Sequence, residues 1–154
     1  MMKSSMLAIV AMALACQCAI ADSPQPVGAR LWSQADLDSL NRTLESTGAP
    51  YTQLITGRTY GALLLCRAVS GDPELHVKLN DFFVVLGGAG EIRVGGHVAG
   101  EKTVAPGEKR GRMLTGGALY QVKRGDVLFV PANHWLQVLV ANGEVLRAII
   151  IKTQ

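Results

Sequence analysis

Cysteine is scarce in this 154-residue chain: there are three, and Cys16 and Cys18 lie within the first 21 residues. If that segment is removed, Cys66 stands alone and no intrachain disulfide can form, so the fold must hold by packing alone. Aromatic residues make up only 5% of the sequence. The basic cluster Lys102, Lys109, Arg110 and Arg112 is interrupted by Glu101 and Glu108 and has no interleaved aromatics. It reads as a solvated loop, and no nucleic-acid partner is expected. Neither sign of charge dominates, with 15 Lys and Arg against 12 Asp and Glu. No apolar run approaches the roughly 20 residues that a membrane-spanning helix needs, so no transmembrane span is expected. Histidine is also sparse, with three in the chain: His76, His97 and His134.

The first 21 residues carry Lys3, an unbroken apolar stretch from Met6 to Ala15, and Ala19-Ile20-Ala21 before Asp22. This is the pattern of a secretory signal peptide over 1–21, cleaved near Ala21, and it implies a secreted or periplasmic protein. Ala13 stands where a lipoprotein signal favours a larger aliphatic residue, which argues against a lipid anchor at Cys16. Residues 22–154 amount to one domain's worth of chain. Cys66 sits in the apolar run Ala62-Leu63-Leu64-Leu65-Cys66 and reads as a small core residue.

Within 22–50, Ser33 followed by Asp36 three residues later marks a helix start. Leu37, Leu40 and Leu44 recur at helical spacing, and Gly48 before Pro50 marks the stop. The spacing predicts one amphipathic helix of about three turns, packed across the outside of the remaining chain. From Tyr51 to the end the pattern is all-β. Short aliphatic runs are expected as strands at 51–55, 62–69, 74–78, 82–86, 91–94, 118–122, 127–130, 135–140 and 145–152. Between them lie turn residues such as Gly87-Gly88-Ala89-Gly90 and Arg124-Gly125-Asp126. So many short strands predict a closed or double-sheet antiparallel fold. The stretch from Gly95 to Gly117 reads as a long functional connection, such as a flap.

Strand alternation puts Glu74, His76 and Lys78 on one face. Turned outward, that face is a solvated stripe. Turned inward, it is a polar site in an apolar interior, and its groups must be paired, hydrogen-bonded or metal-bound. Two blocks bear on the choice: Glu74-Leu75-His76 with Asp81 and Gly88, and Gly125-Asp126 with the apolar run Val127 to Val130 and Pro131-Ala132-Asn133. Together they resemble the paired motifs of a small, single-domain cupin. The resemblance covers nearly all of the chain from Glu74 onward and implies a double-stranded β-helix, or jelly-roll barrel, over 51–154.

Carried over residue by residue, the resemblance puts Glu74, His76 and Asp81 at ligand positions for a divalent metal such as manganese, iron, zinc or nickel. Leu136 stands where a further histidine ligand belongs and cannot coordinate. His134, two residues earlier with the same strand parity, is the candidate substitute. Three protein ligands suffice for a catalytic metal. In a metal-free alternative, Glu74 or His76 acts as base with Lys78 as the positive partner, which suits isomerisation, elimination or cyclisation. Lys78, Leu136 and Val138 are the expected contacts of a small oxygenated ligand. Two functions stay open: a metal-dependent cupin that transforms such a molecule by oxygenase, isomerase or lyase chemistry, and a non-catalytic ligand-binding or dimerisation barrel with a decayed site. The resemblance also implies a homodimer.

Overall fold

A computed structural model describes residues 28–154. The expected secretory segment, with Cys16 and the cleavage site at Ala21, lies outside the described residues. Helix α1 (Gln34–Thr47) begins at Ser33, whose hydroxyl accepts from the Asp36 amide while the Asp36 carboxylate accepts from the Ser33 amide. This reciprocal pair satisfies two amides that a helix start otherwise leaves bare. Gly48, at φ 69°, ends the helix in the left-handed conformation. Leu37 and Leu44 are buried and pack with Leu64 and Cys66, so the helix lies on the outer face of the sheet that carries those two residues, as the leucine spacing predicts. It belongs to one compact unit with the strands, Trp32–Gln154.

The strands are β1 (Tyr51–Thr56), β2 (Tyr60–Arg67), β3 (Glu74–His76), β4 (Asn80–Gly87), β5 (Ala89–Val94), β6 (His97–Ala99), β7 (Lys102–Ala105), β8 (Glu108–Arg110), β9 (Met113–Thr115), β10 (Ala118–Lys123), β11 (Val127–Val130), β12 (Trp135–Leu139) and β13 (Leu146–Thr153). One sheet has the order β1-β2-β13-β4-β11 and the second β10-β5-β12-β3-β8-β7, while β6 and β9 form a separate pair. Every pairing among these strands is antiparallel. Alternate residues of the two sheets meet between them. Leu63 and Leu65, Phe83 and Val85, and Ala148 and Ile150 come from the first sheet, and Ile92, Val122, Leu136 and Val138 from the second. This two-sheet jelly roll is the all-β architecture expected from the sequence. Gly88, at φ 69° in the β4–β5 turn, accepts no larger residue, because a Cβ there would run into the Val145 carbonyl.

Two features differ from the sequence reading. β3 ends at His76: the Val77 amide donates to the Gly107 carbonyl at 2.8 Å, still in the register of the β3–β8 pair, and the chain then bends over 77–78. The stretch 95–117 is not a flap but four short strands, and β8 completes the ladder beside β3, with Glu74 opposite Arg110 and His76 opposite Glu108. Its Lys, Glu and Arg residues belong to a sheet edge, where charge discourages pairing with other chains. That same polarity makes these strands read as loop.

Candidate functional site

β3 contributes Glu74 and His76, β4 Asp81, β8 Glu108 and Arg110, and β13 Lys152. The inward parity of β13 runs Leu146, Ala148, Ile150, Lys152, so the strand that fills the core with three apolar residues delivers an ammonium at its far end. Lys152 is paired in register with Asp81 on β4. Its Nζ donates to Asp81 Oδ1 at 2.7 Å and lies 2.8 Å from His76 Nε2. On the other side of the imidazole, Nδ1 lies 2.6 Å from Glu108 Oε2. Glu74 Oε2 takes Arg110 Nη2 at 3.1 Å.

These distances assign the histidine's protons. A carboxylate can only accept, so Nδ1 carries hydrogen and donates to Glu108. An ammonium can only donate, so Nε2 presents its lone pair to Lys152. His76 Nε2 also lies 3.4 Å from Asp81 Oδ2 and 4.0 Å from Glu74 Oε2, contacts that would need a proton on Nε2. The shorter contact to Lys152 decides for the neutral ring. His76 is 5% exposed and Asp81 2%. Burial raises the Asp81 carboxyl above its ordinary range, and the opposing pull of Lys152 and then His76 does not cancel it. The result is a chain of hydrogen-bonded groups, Glu108, His76, Lys152 and Asp81, held by four different strands. It borders a cleft of about 620 Å³ between β1 and β2 on one side and β3 and β8 on the other.

Glu74, His76 and Asp81 are thus brought together, as the sequence spacing suggests. The other candidates lie elsewhere. Lys78 is exposed beyond the end of β3 and does not line this cleft; the cation beside His76 and Asp81 is Lys152. Leu136 and Val138 are buried in the core between the sheets rather than at the cleft wall. His134 is exposed, with Nδ1 3.0 Å from the Ala132 carbonyl, and the structure does not bring it to the cluster. Glu108, Arg110 and Lys152 were missed by sequence reasoning. For Lys152 a signal existed, since it continues an inward apolar alternation.

Whether the donor set fits a divalent metal turns on that lysine. The point from which an ion would draw on both His76 Nε2 and Asp81 is held by the Lys152 ammonium, within hydrogen-bond distance of each, while Glu74 is engaged by Arg110. Two cations cannot share that point, so as arranged the residues do not fit a resident metal. Among the described residues no group of three or more His, Cys, Asp or Glu side chains is disposed to hold one.

No protein-family model matches the chain, and no curated protein does. Solved structures do match. A protein from Bacillus halodurans shares 21% identity at a TM-score of 0.56, over 82% of this chain and 83% of that one. A conserved protein with a double-stranded β-helix domain from Klebsiella pneumoniae shares 14% at 0.56, over 81% and 90%. The cupin domain of a Schizosaccharomyces pombe protein shares 12% at 0.51, and the match covers 68% of this chain and 63% of that one. At these identities the likeness is one of fold.

Proposed function

We propose that this barrel of the cupin fold binds a small oxygenated molecule in the cleft beside Lys152 and moves a proton on it without a resident metal. The observation that carries the reading is the Lys152 Nζ seated 2.7 Å from Asp81 and 2.8 Å from His76. An ammonium there supplies the positive charge that would stabilise an enolate or alkoxide as it forms. His76, oriented by Glu108, offers Nε2 as the base once a ligand oxygen draws Lys152 toward itself. Asp81, its carboxyl raised by burial, is the local proton reservoir. Isomerisation, elimination and cyclisation are the reactions that need only these groups. A barrel that binds the same class of molecule without turnover would use the same contacts.

A metal-dependent reading draws on one observation, the convergence of both the Asp81 and Glu74 carboxylates on His76 Nε2. The two readings separate on elemental analysis of protein secreted with its signal intact and purified without tag or chelator. Metal independence predicts that the wild type carries less than about a tenth of an equivalent of manganese, iron, zinc or nickel. It also predicts that Lys152→Met, freed of the competing cation, takes up added Mn²⁺ at least tenfold more tightly. Near-stoichiometric metal in the wild type would sink the proposal. The pattern from Lys3 to Ala21 supports a secreted or periplasmic location. Val127 and Phe129, exposed on edge strand β11, support a homodimer, to be read by sedimentation.

A further inference from the structure

Three cations line the cleft: Arg67, Arg110 and Lys152. Two are matched within the protein, Arg110 by Glu74 and Glu108 and Lys152 by Asp81. Arg67 is not. It ends β2 on the inward parity of Leu63 and Leu65, and among the described residues no carboxylate lies within ion-pair distance of it and no acceptor takes its N–H groups. Its Nε is buried without a hydrogen-bond partner. The guanidinium lies against Gly71, where a Cβ would stand 2.8 Å from both Cζ and Nη1. That glycine is itself fixed, its amide donating to the Val138 carbonyl at 2.8 Å and its carbonyl accepting from Gln137 Nε2 at 2.9 Å.

A guanidinium packed against hydrogen-bonded backbone, partly removed from water and lacking an acceptor, is costly as it stands. The cost is recovered when a planar anion such as a carboxylate meets its fork with two parallel hydrogen bonds. We infer that Arg67 is the carboxylate anchor of this cleft and that its ligand is a small carboxylic acid with a second oxygen function directed toward Lys152. Arg67 faces Leu146 and Lys152 faces Gly61 in the β2–β13 ladder. The two positive groups therefore approach the cleft from opposite ends, and a ligand touching both is extended. This names the ligand class for the site proposed above and rests on that cleft being the ligand site, though not on its proton chemistry.

Isothermal titration of the mature protein at low salt tests it, with adipate as the extended dicarboxylate probe, hexanoate as the single-ended one and inorganic phosphate as the non-planar one. The wild type is expected to bind adipate more tightly than hexanoate and phosphate least. Arg67→Gln lowers adipate affinity at least tenfold. Arg67→Lys keeps the charge but loses the fork and falls in between. Gly71→Ala, which pushes the guanidinium off its seat, falls with Arg67→Gln and serves if that variant fails to fold. Lys152→Met retains hexanoate binding and loses the extra affinity for adipate. The inference is overturned if no carboxylate binds the wild type, if Arg67→Gln binds adipate unchanged, or if phosphate binds as tightly as the carboxylates. Failure of the proton-relay reading shows separately, as stoichiometric metal in the wild type with carboxylate binding through Arg67 intact.

Discussion

Replacing Lys152 by Met removes the ammonium from a pair whose acid is 2% exposed, while the apolar stem that lines the cleft is largely kept. Breaking one side of a buried ion pair costs about 3–5 kcal/mol, because the other charge stays buried. Asp81 has an escape, since it can take up a proton. At about pH 7 that costs roughly 1.36 kcal/mol for each unit above its reference pKa of 3.8, so the penalty is capped near 4 kcal/mol. The Asp81 pKa is already raised in the folded protein. Its favourable contribution is therefore full below 3.8 and lost as pH rises through the raised value. Loss of Lys152 raises it further and carries the loss toward neutral pH. At about pH 5 the same cap is under roughly 2 kcal/mol. With a urea slope of about 2 kcal/mol per molar, the midpoint of Lys152→Met falls by about 1.5–2 M at pH 7 and by less than about 1 M at pH 5. Urea unfolding followed by tryptophan fluorescence at both pH values measures this. Equal shifts at the two pH values would refute the claim that an uncompensated Asp81 carboxylate is the source of the loss.

Leu44→Ala, emptying a 5%-exposed position between α1 and the sheet, is expected to cost about 2–4 kcal/mol in the same assay. Adipate affinity of the folded fraction should not change, because the helix does not line the cleft. Cys66, buried under the helix and with its thiol pushed up by burial and then by Glu45, should resist a thiol reagent at neutral pH until the protein unfolds. Rapid stoichiometric labelling of native protein would contradict its place in the core.

The sequence disclosed elements whose signals are local. Ser33, Asp36 and Gly48 bracket the helix because capping is a matter of neighbouring residues, and the apolar alternation of β4, β12 and β13 reports two-sided sheets. Glu74, His76 and Asp81 could be grouped because they lie on consecutive strands. What failed was parity carried past a strand's end. Lys78 shares the alternation of Glu74 and His76 only while β3 continues, and β3 stops at His76. Glu108 and Arg110 were hidden because an edge hairpin made of charged residues has no apolar period to read. Lys152 was within reach, but its partner Asp81 lies 71 residues away in sequence, and only the β4–β13 register shows that the two are neighbours.

β13 is the last strand in chain order yet lies between β2 and β4 in the first sheet. A nascent chain ending before Leu146 would therefore have β2 and β4 without the strand that joins them, three core residues short and with Asp81 lacking its cation. Beyond the local β1–β2 hairpin, the first sheet is joined by long-range pairings, a slow route that depends on distant segments meeting. Core and site would be completed by the same late event, so a half-made molecule should have neither a stable barrel nor a working cleft, and there is no stage at which one exists without the other.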